Sequence, residues 1–228
     1  MSKSIFITGT STDIGKTFIS ALITKKLRHN DINAGYYKPA LSGAQKNNNT
    51  LMPVDAKYVC DIAGIAEQPE SFVSYIYKTP VSPHLAAQIE KNPLDTNAVL
   101  QDFNRIKSTY EYITVEGCGG IVCPLRFDGQ IIMLTDIIKM LNLDLILVSG
   151  SDLGTINSSV LTAEYAKKNG IAVKAIIMNF FDDKNFLHID NKKQIEFLTK
   201  IPVIACVSKN DCNIDIDIET LKSLYKEI

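Results

Sequence analysis

Along the chain, short unbroken apolar runs alternate with stretches in which apolar residues return every three or four positions. The runs fall near 4–9, 34–38, 111–116, 143–149, 172–178 and 202–207. They show little in–out alternation, which predicts strands covered on both faces. Between the first two, Phe18, Ile19, Leu22, Ile23 and Leu27 share one helical face, with Thr24, Lys25, Lys26 and Arg28 on the other side. Leu94 and Asp95 open a later helix as staple and cap, with Val99, Phe103 and Ile106 on its apolar face. Another helix runs to Lys168 and stops at Asn169-Gly170, and Ile214 onward reads as a terminal amphipathic helix. Strand–helix alternation predicts a single doubly wound, mostly parallel sheet over residues 1–228, with helices on both faces. Ligands of such sheets lie beyond the carboxyl ends of the strands.

Composition narrows the partners. The net charge of −1, without a basic block, argues against nucleic acid or an anionic membrane. No signal peptide is recognisable, and no apolar run approaches membrane-spanning length. Five cysteines without a Cys-x-x-Cys pair suit a cytoplasmic chain with reduced thiols. The polar stretch Gln45-Lys46-Asn47-Asn48-Asn49-Thr50 reads as an exposed, mobile loop tip.

The chemistry begins after the first strand. Ile5-Phe6-Ile7 leads into Thr8-Gly9-Thr10-Ser11-Thr12-Asp13-Ile14-Gly15-Lys16-Thr17 and then into the helix starting near Phe18. Strand, Gly-Lys-Thr loop and helix form a nucleoside-triphosphate loop. Its backbone N–H groups and helix dipole favour phosphate, Lys16 reaches the terminal phosphates, and the Thr17 hydroxyl suits Mg²⁺. The spacing departs from the usual one: Thr10 stands where a glycine is expected, and Gly9 lies one residue further out.

Other candidates follow later strands. Lys38 closes the second, before a proline that stops the pairing, and is either a partner for anions held by the first loop or a solvated lysine. Asp55 is either an N-terminal cap or a carboxylate offered to a metal. Ser82-Pro83 reads as cap and first helical residue, and His84 receives no role. Glu116 ends a buried strand before Gly117-Cys118-Gly119-Gly120, which fits an acid that positions a cation beside glycines that admit a ligand. Cys118 has no paired base and reads as a small side chain, not a nucleophile. The helix N-terminus at Leu153–Asn157 suits a carboxylate, and the Asn179 amide could pair with a base edge.

Taken in order, Gly9-Thr10-x-Thr12-x-x-Gly15-Lys16-Thr17, Lys38-Pro39 with Ser42-Gly43, Asp55, Ser82-Pro83-His84, Glu116-Gly117-x-Gly119-Gly120, Gly154-x-Ile156-Asn157 and Asn179 resemble the dethiobiotin synthetase family. The displaced first glycine is a feature of that family. Cys118 stands where it carries a small apolar residue, and the segment from Pro202 to Val207 matches its adenine loop only loosely.

The resemblance implies a P-loop enzyme that uses ATP, CO₂ and 7,8-diaminopelargonate to make dethiobiotin, through a carbamate and a carbamic–phosphoric anhydride. It implies nucleotide contacts from Thr12, Asp13, Ile14, Gly15, Lys16, Thr17, Phe18, Asp55, Glu116, Gly117, Cys118, Gly119 and Asn179. Mg²⁺ would be held by Thr17, Asp55 and Glu116, with Lys16 and Lys38 as the catalytic cations. Thr12, Lys38, Ser42, Gly119, Leu153 and Asn157 would meet the substrate, and the chain would form a homodimer. Two alternatives differ in legible ways. Amidase-type P-loop ligases generally carry a glutaminase domain, for which the chain has no room. A partitioning-type ATPase switch should show a second lysine inside the loop, and positions 10–15 contain none.

Overall fold

The computed structural model describes residues 2–47 and 50–228. In chain order the elements are β1 (Lys3–Gly9), α1 (Lys16–Arg28), β2 (Ala34–Ser42), β3 (Gln45–Asn47), β4 (Thr50–Met52), α2 (Val54–Ala63) and β5 (Val73–Tyr77). Next come α3 (Pro83–Ile89), α4 (Thr96–Thr109), β6 (Tyr112–Gly120), β7 (Pro124–Phe127), β8 (Ile131–Met133) and α5 (Leu134–Met140). The chain closes with β9 (Leu145–Ser149), α6 (Thr155–Lys168), β10 (Val173–Asn179), α7 (Phe186–Thr199), β11 (Val203–Val207), α8 (Ile218–Leu224) and β12 (Lys226–Glu227).

Seven strands form a parallel path in the order β11-β10-β9-β1-β6-β2-β5, and β12 adds antiparallel to the start of β1. Both faces are covered. Ile5 and Ile7 of β1 pack with Ile19, Leu22, Ile23 and Leu27 of α1, whereas Phe6 belongs to the cluster holding Val99, Phe103 and Ile106 of α4. Adjacent side chains of one strand enter different cores, so the β1 sequence is apolar without alternation. Among the described residues no helix is long and apolar enough to cross a membrane.

Several expectations need correction. β2 does not stop at Lys38 but continues to Ser42. It pairs β6 as far as Tyr37↔Val115 and then pairs β5 from Lys38↔Val73 to Ser42↔Tyr77. Pro39, which has no N–H to donate, lies where the strand changes neighbour. Glu116 does not end its strand either: Ile7 pairs with Glu116 and Gly9 with Gly120, so residues 117–119 bulge against Thr8 alone. Of the stretch read as a loop tip, Gln45–Asn47 and Thr50 belong to a ribbon, with Gln45↔Met52 and Lys46↔Leu51 in antiparallel register; positions 48 and 49 lie outside the described residues. The last helix starts at Ile218, because Asp217 accepts the Thr220 N–H at 2.9 Å as its cap and the buried Ile214 and Ile216 precede it. β5, the β7–β8 ribbon and β12 are additions to the elements read from the sequence.

Candidate functional site

The loop between β1 and α1 is shaped by what lies beneath it. The backbone at Gly15 has φ 91°, in the left-handed region, and α1 has no side-chain cap there, leaving its first-turn N–H groups directed outward. A Cβ at Gly15 would lie 2.0 Å from Asn179 Nδ2. That amide donates to the Ile14 carbonyl at 3.0 Å. The displaced glycine has a packing cause: a Cβ at Gly9 would lie 2.6 Å from Ile14 Cγ2. Ile14 is therefore tucked under the loop, and the side chain nearest its methyl must be absent at position 9 and not at position 10. Lys16 curls back to donate to the Ser11 carbonyl at 3.0 Å. Burial, and then the nearby Lys38 charge, hold its ammonium below the usual lysine range.

Three elements bring charge to the same rim. The register of β2 with β6 places Tyr36 beside Thr114, so Tyr36, Lys38 and Glu116 share one sheet face. Lys38 Nζ lies 2.5 Å from Asp55 Oδ2 and 2.6 Å from Glu116 Oε1. Burial works against the Lys38 charge, but the Glu116 and then the Asp55 carboxylates outweigh it and hold the group well above its ordinary value. Glu116 is fully buried. Its Oε1 also accepts the Thr17 hydroxyl at 2.8 Å, and its Oε2 accepts the Tyr36 hydroxyl at 2.7 Å. Asp55 is not the cap of α2, which is Pro53; it lies in the first turn and turns toward Lys38. The Cys118 thiol donates to the Ala40 carbonyl at 2.7 Å. Burial pushes it up to about 11, so it is a protonated packing group.

A cleft of about 610 Å³ opens over these groups. It is lined by Thr12, Asp13, Gly15, Lys16, Thr17, Phe18, Lys38, Ser42, Asp55, Glu116, Cys118 and Gly119, all expected from the sequence. Ala40, Leu41, Val54 and Tyr58 line it as well and were not foreseen. Val54 and Tyr58 are four apart on α2 and flank Asp55, a helical spacing that could have found them. Tyr36 was missed too, although it is two residues before Lys38 on the same strand.

Five expected residues lie outside the lining. Ile14 acts from below the loop. Gly117 faces the core, since a Cβ there would lie 2.8 Å from Phe6 Cε1 and 3.0 Å from Leu134 Cδ2. The side on which it lacks a side chain is filled by these two residues. Asn179 is fully buried, with its Oδ1 unpartnered among the described residues. Leu153 is 89% exposed and, like Asn157, stands at the start of α6 away from the cleft.

Thr17, Asp55 and Glu116 form an all-oxygen donor set, the kind that hard divalent cations take. A cation already occupies the space between the two carboxylates in the form of the Lys38 ammonium. The residues present thus fit Mg²⁺ chemistry. Among the described residues no group of three His, Cys, Asp or Glu side chains could hold a metal, so a third protein donor has to be the hydroxyl.

Comparisons with known proteins give the family and the fold. A family model described as an AAA domain matches residues 3–213. The chain is 51% identical over 225 residues to an ATP-dependent dethiobiotin synthetase BioD of Clostridium botulinum (strain Alaska E43 / Type E3), covering 99% of both chains. It is 47% identical over 228 residues to the protein of the same name from Clostridium botulinum (strain ATCC 19397 / Type A), covering 100% of both. Among solved structures it resembles a ParA family ATPase from Chlorobium tepidum, with a TM-score of 0.55 at 16% identity, over 92% of this chain and 84% of that one. It also resembles the septum site-determining protein MinD with Mg-ADP from Pyrococcus horikoshii, with a TM-score of 0.57 at 17% identity, over 92% of this chain and 82% of that one. At such identities these two structures establish the fold alone.

Proposed function

The chain belongs to the ATP-dependent dethiobiotin synthetase family, and from that premise we propose how its cleft forms dethiobiotin from ATP, CO₂ and 7,8-diaminopelargonate. One amine adds to CO₂ and loses a proton, giving a carbamate. A carbamate oxygen attacks the γ-phosphorus, and the bond to the departing ADP oxygen breaks. The second amine then attacks the carbamoyl carbon and loses its proton, and phosphate leaves carrying the oxygen that attacked. The ureido ring is closed.

The observation that carries this reading is the convergence of Lys38, Asp55 and Glu116 on the cleft that begins at Gly15-Lys16-Thr17. Lys16 and Lys38, which both line the cleft, would flank the transferred phosphoryl group and the carbamate. Their charge is fixed before the reaction, so it stabilises the negative charge that builds during transfer without rearrangement. Lys38 serves as a cation and not as a base, because its two carboxylate neighbours keep it protonated. Thr17, Asp55 and Glu116 would hold Mg²⁺, which would supply further neutralisation of phosphate charge. Thr12, Ser42 and Gly119 face the cleft where the diamine and its carbamate would lie. The unpartnered Asn179 Oδ1 offers an acceptor to a base amino group.

The reading extends to the assembly. Leu153 and Asn157 do not line their own cleft. We assign them to a homodimer of the cytoplasm, in which the start of α6 receives the carboxylate of a substrate bound in the other subunit. The chemistry is tested with ¹⁸O-labelled bicarbonate. Attack by the carbamate oxygen predicts one ¹⁸O in each phosphate released, whereas unlabelled phosphate would rule out the mixed anhydride.

A further inference from the structure

Glu116 divides its two oxygens between different tasks, and the division depends on a residue that does not reach the cleft. Oε1 accepts from Thr17 and from Lys38, on the side where nucleotide and cation would be met. Among the described residues Oε2 has one donor, the Tyr36 hydroxyl at 2.7 Å. Both side chains are fully buried, so water does not replace that donor.

We propose that Tyr36 is a positioning residue that locks the Glu116 carboxylate so that Oε1 alone faces the cleft and is available to a divalent cation. The inference rests on the nucleotide and Mg²⁺ reading above. Without the hydroxyl, Oε2 is a buried anionic oxygen with no donor. The carboxylate then turns to share the Lys38 ammonium through both oxygens, and the cation must compete with a tighter ion pair. Residues that orient a metal ligand in this way typically change metal affinity about ten- to hundredfold when removed.

The test is calorimetric titration of ADP into the whole protein, once with Mg²⁺ and once with EDTA, comparing the unaltered chain with Tyr36→Phe. The measured quantity is the gain in ADP affinity that Mg²⁺ confers. The proposal expects that gain to fall about tenfold or more, while affinity in EDTA stays within about twofold. An unchanged gain overturns it, and an equal loss in both conditions shows that Tyr36 only supports the core. Should the unaltered chain bind no ADP under either condition, the nucleotide reading itself fails and this inference with it. If Tyr36→Phe does not fold alone, its ADP complex formed in excess nucleotide is compared with and without Mg²⁺ by thermal melting beside Glu116→Gln and Glu116→Gln/Tyr36→Phe, in which the buried carboxylate that needs the hydroxyl is replaced by a neutral amide. A residue acting only through the carboxylate leaves the Mg²⁺ response of these two equal, and a further loss in the double variant contradicts the proposal.

Discussion

The ammonium of Lys38 and Oε1 of Glu116 lie 2.6 Å apart in a place where neither side chain is more than 5% exposed. Breaking such a pair leaves an uncompensated buried carboxylate, which costs about 3–5 kcal/mol. For a chain of this size that corresponds to a fall in melting temperature of roughly 10 °C. Lys38→Ala should show this fall and lose turnover by about a hundredfold or more. Mg²⁺ should restore part of the lost stability, because it can stand between Glu116 and Asp55 in place of the ammonium. Melting curves with and without MgCl₂ check this, and a variant that does not respond to Mg²⁺ would contradict the shared-cation arrangement.

The same substitution at two glycines should give opposite results. Gly15→Ala places a Cβ 2.0 Å from Asn179 Nδ2 at a φ of 91°, and the left-handed backbone alone costs about 1–2 kcal/mol. It should abolish nucleotide binding. Gly117→Ala meets Phe6 at 2.8 Å behind the bulge and should destabilise by about 1–3 kcal/mol through overpacking. Its nucleotide affinity should hardly change. Urea unfolding and binding of a fluorescent ATP analogue separate the two effects.

The sequence made the phosphate loop legible because one short segment contains strand, turn and helix start together. Lys38, Asp55 and Glu116 were legible as strand-end or helix-start residues, but their contact was not, since it spans gaps that only sheet register closes. The same limit hid Tyr36, whose partner is 80 residues away. The packing side of Gly117 was not legible, because a glycine that admits a ligand and one that admits a neighbouring ring look alike in sequence. The polar run at 45–50 looked like a free loop because its residues carry no apolar pattern; Gln45 and Lys46 instead take part in backbone pairing with Met52 and Leu51.

Thiol chemistry provides a check on the burial of the site. Cys118 is pushed up to about 11, and Cys60 and Cys123 to about 12, in each case first by burial. At pH 8 the thiolate fraction of Cys118 is then on the order of one in a thousand, and it rises about tenfold per pH unit until the pH reaches its pKa. Cys212 is exposed. A disulfide reagent at pH 8 should therefore modify Cys212 rapidly and the three buried thiols slowly, whereas all five cysteines should react after denaturation. Rapid modification of Cys118, read by peptide mass spectrometry, would contradict the buried placement.

The most direct measurement incubates the purified protein with 7,8-diaminopelargonate, bicarbonate and Mg-ATP and follows the products by mass spectrometry. Convergence of Lys16, Lys38, Asp55 and Glu116 on one cleft, with the proposed roles, predicts dethiobiotin and ADP in equal amounts, with both lost in Lys38→Ala. ADP released without any ureido product would contradict the account.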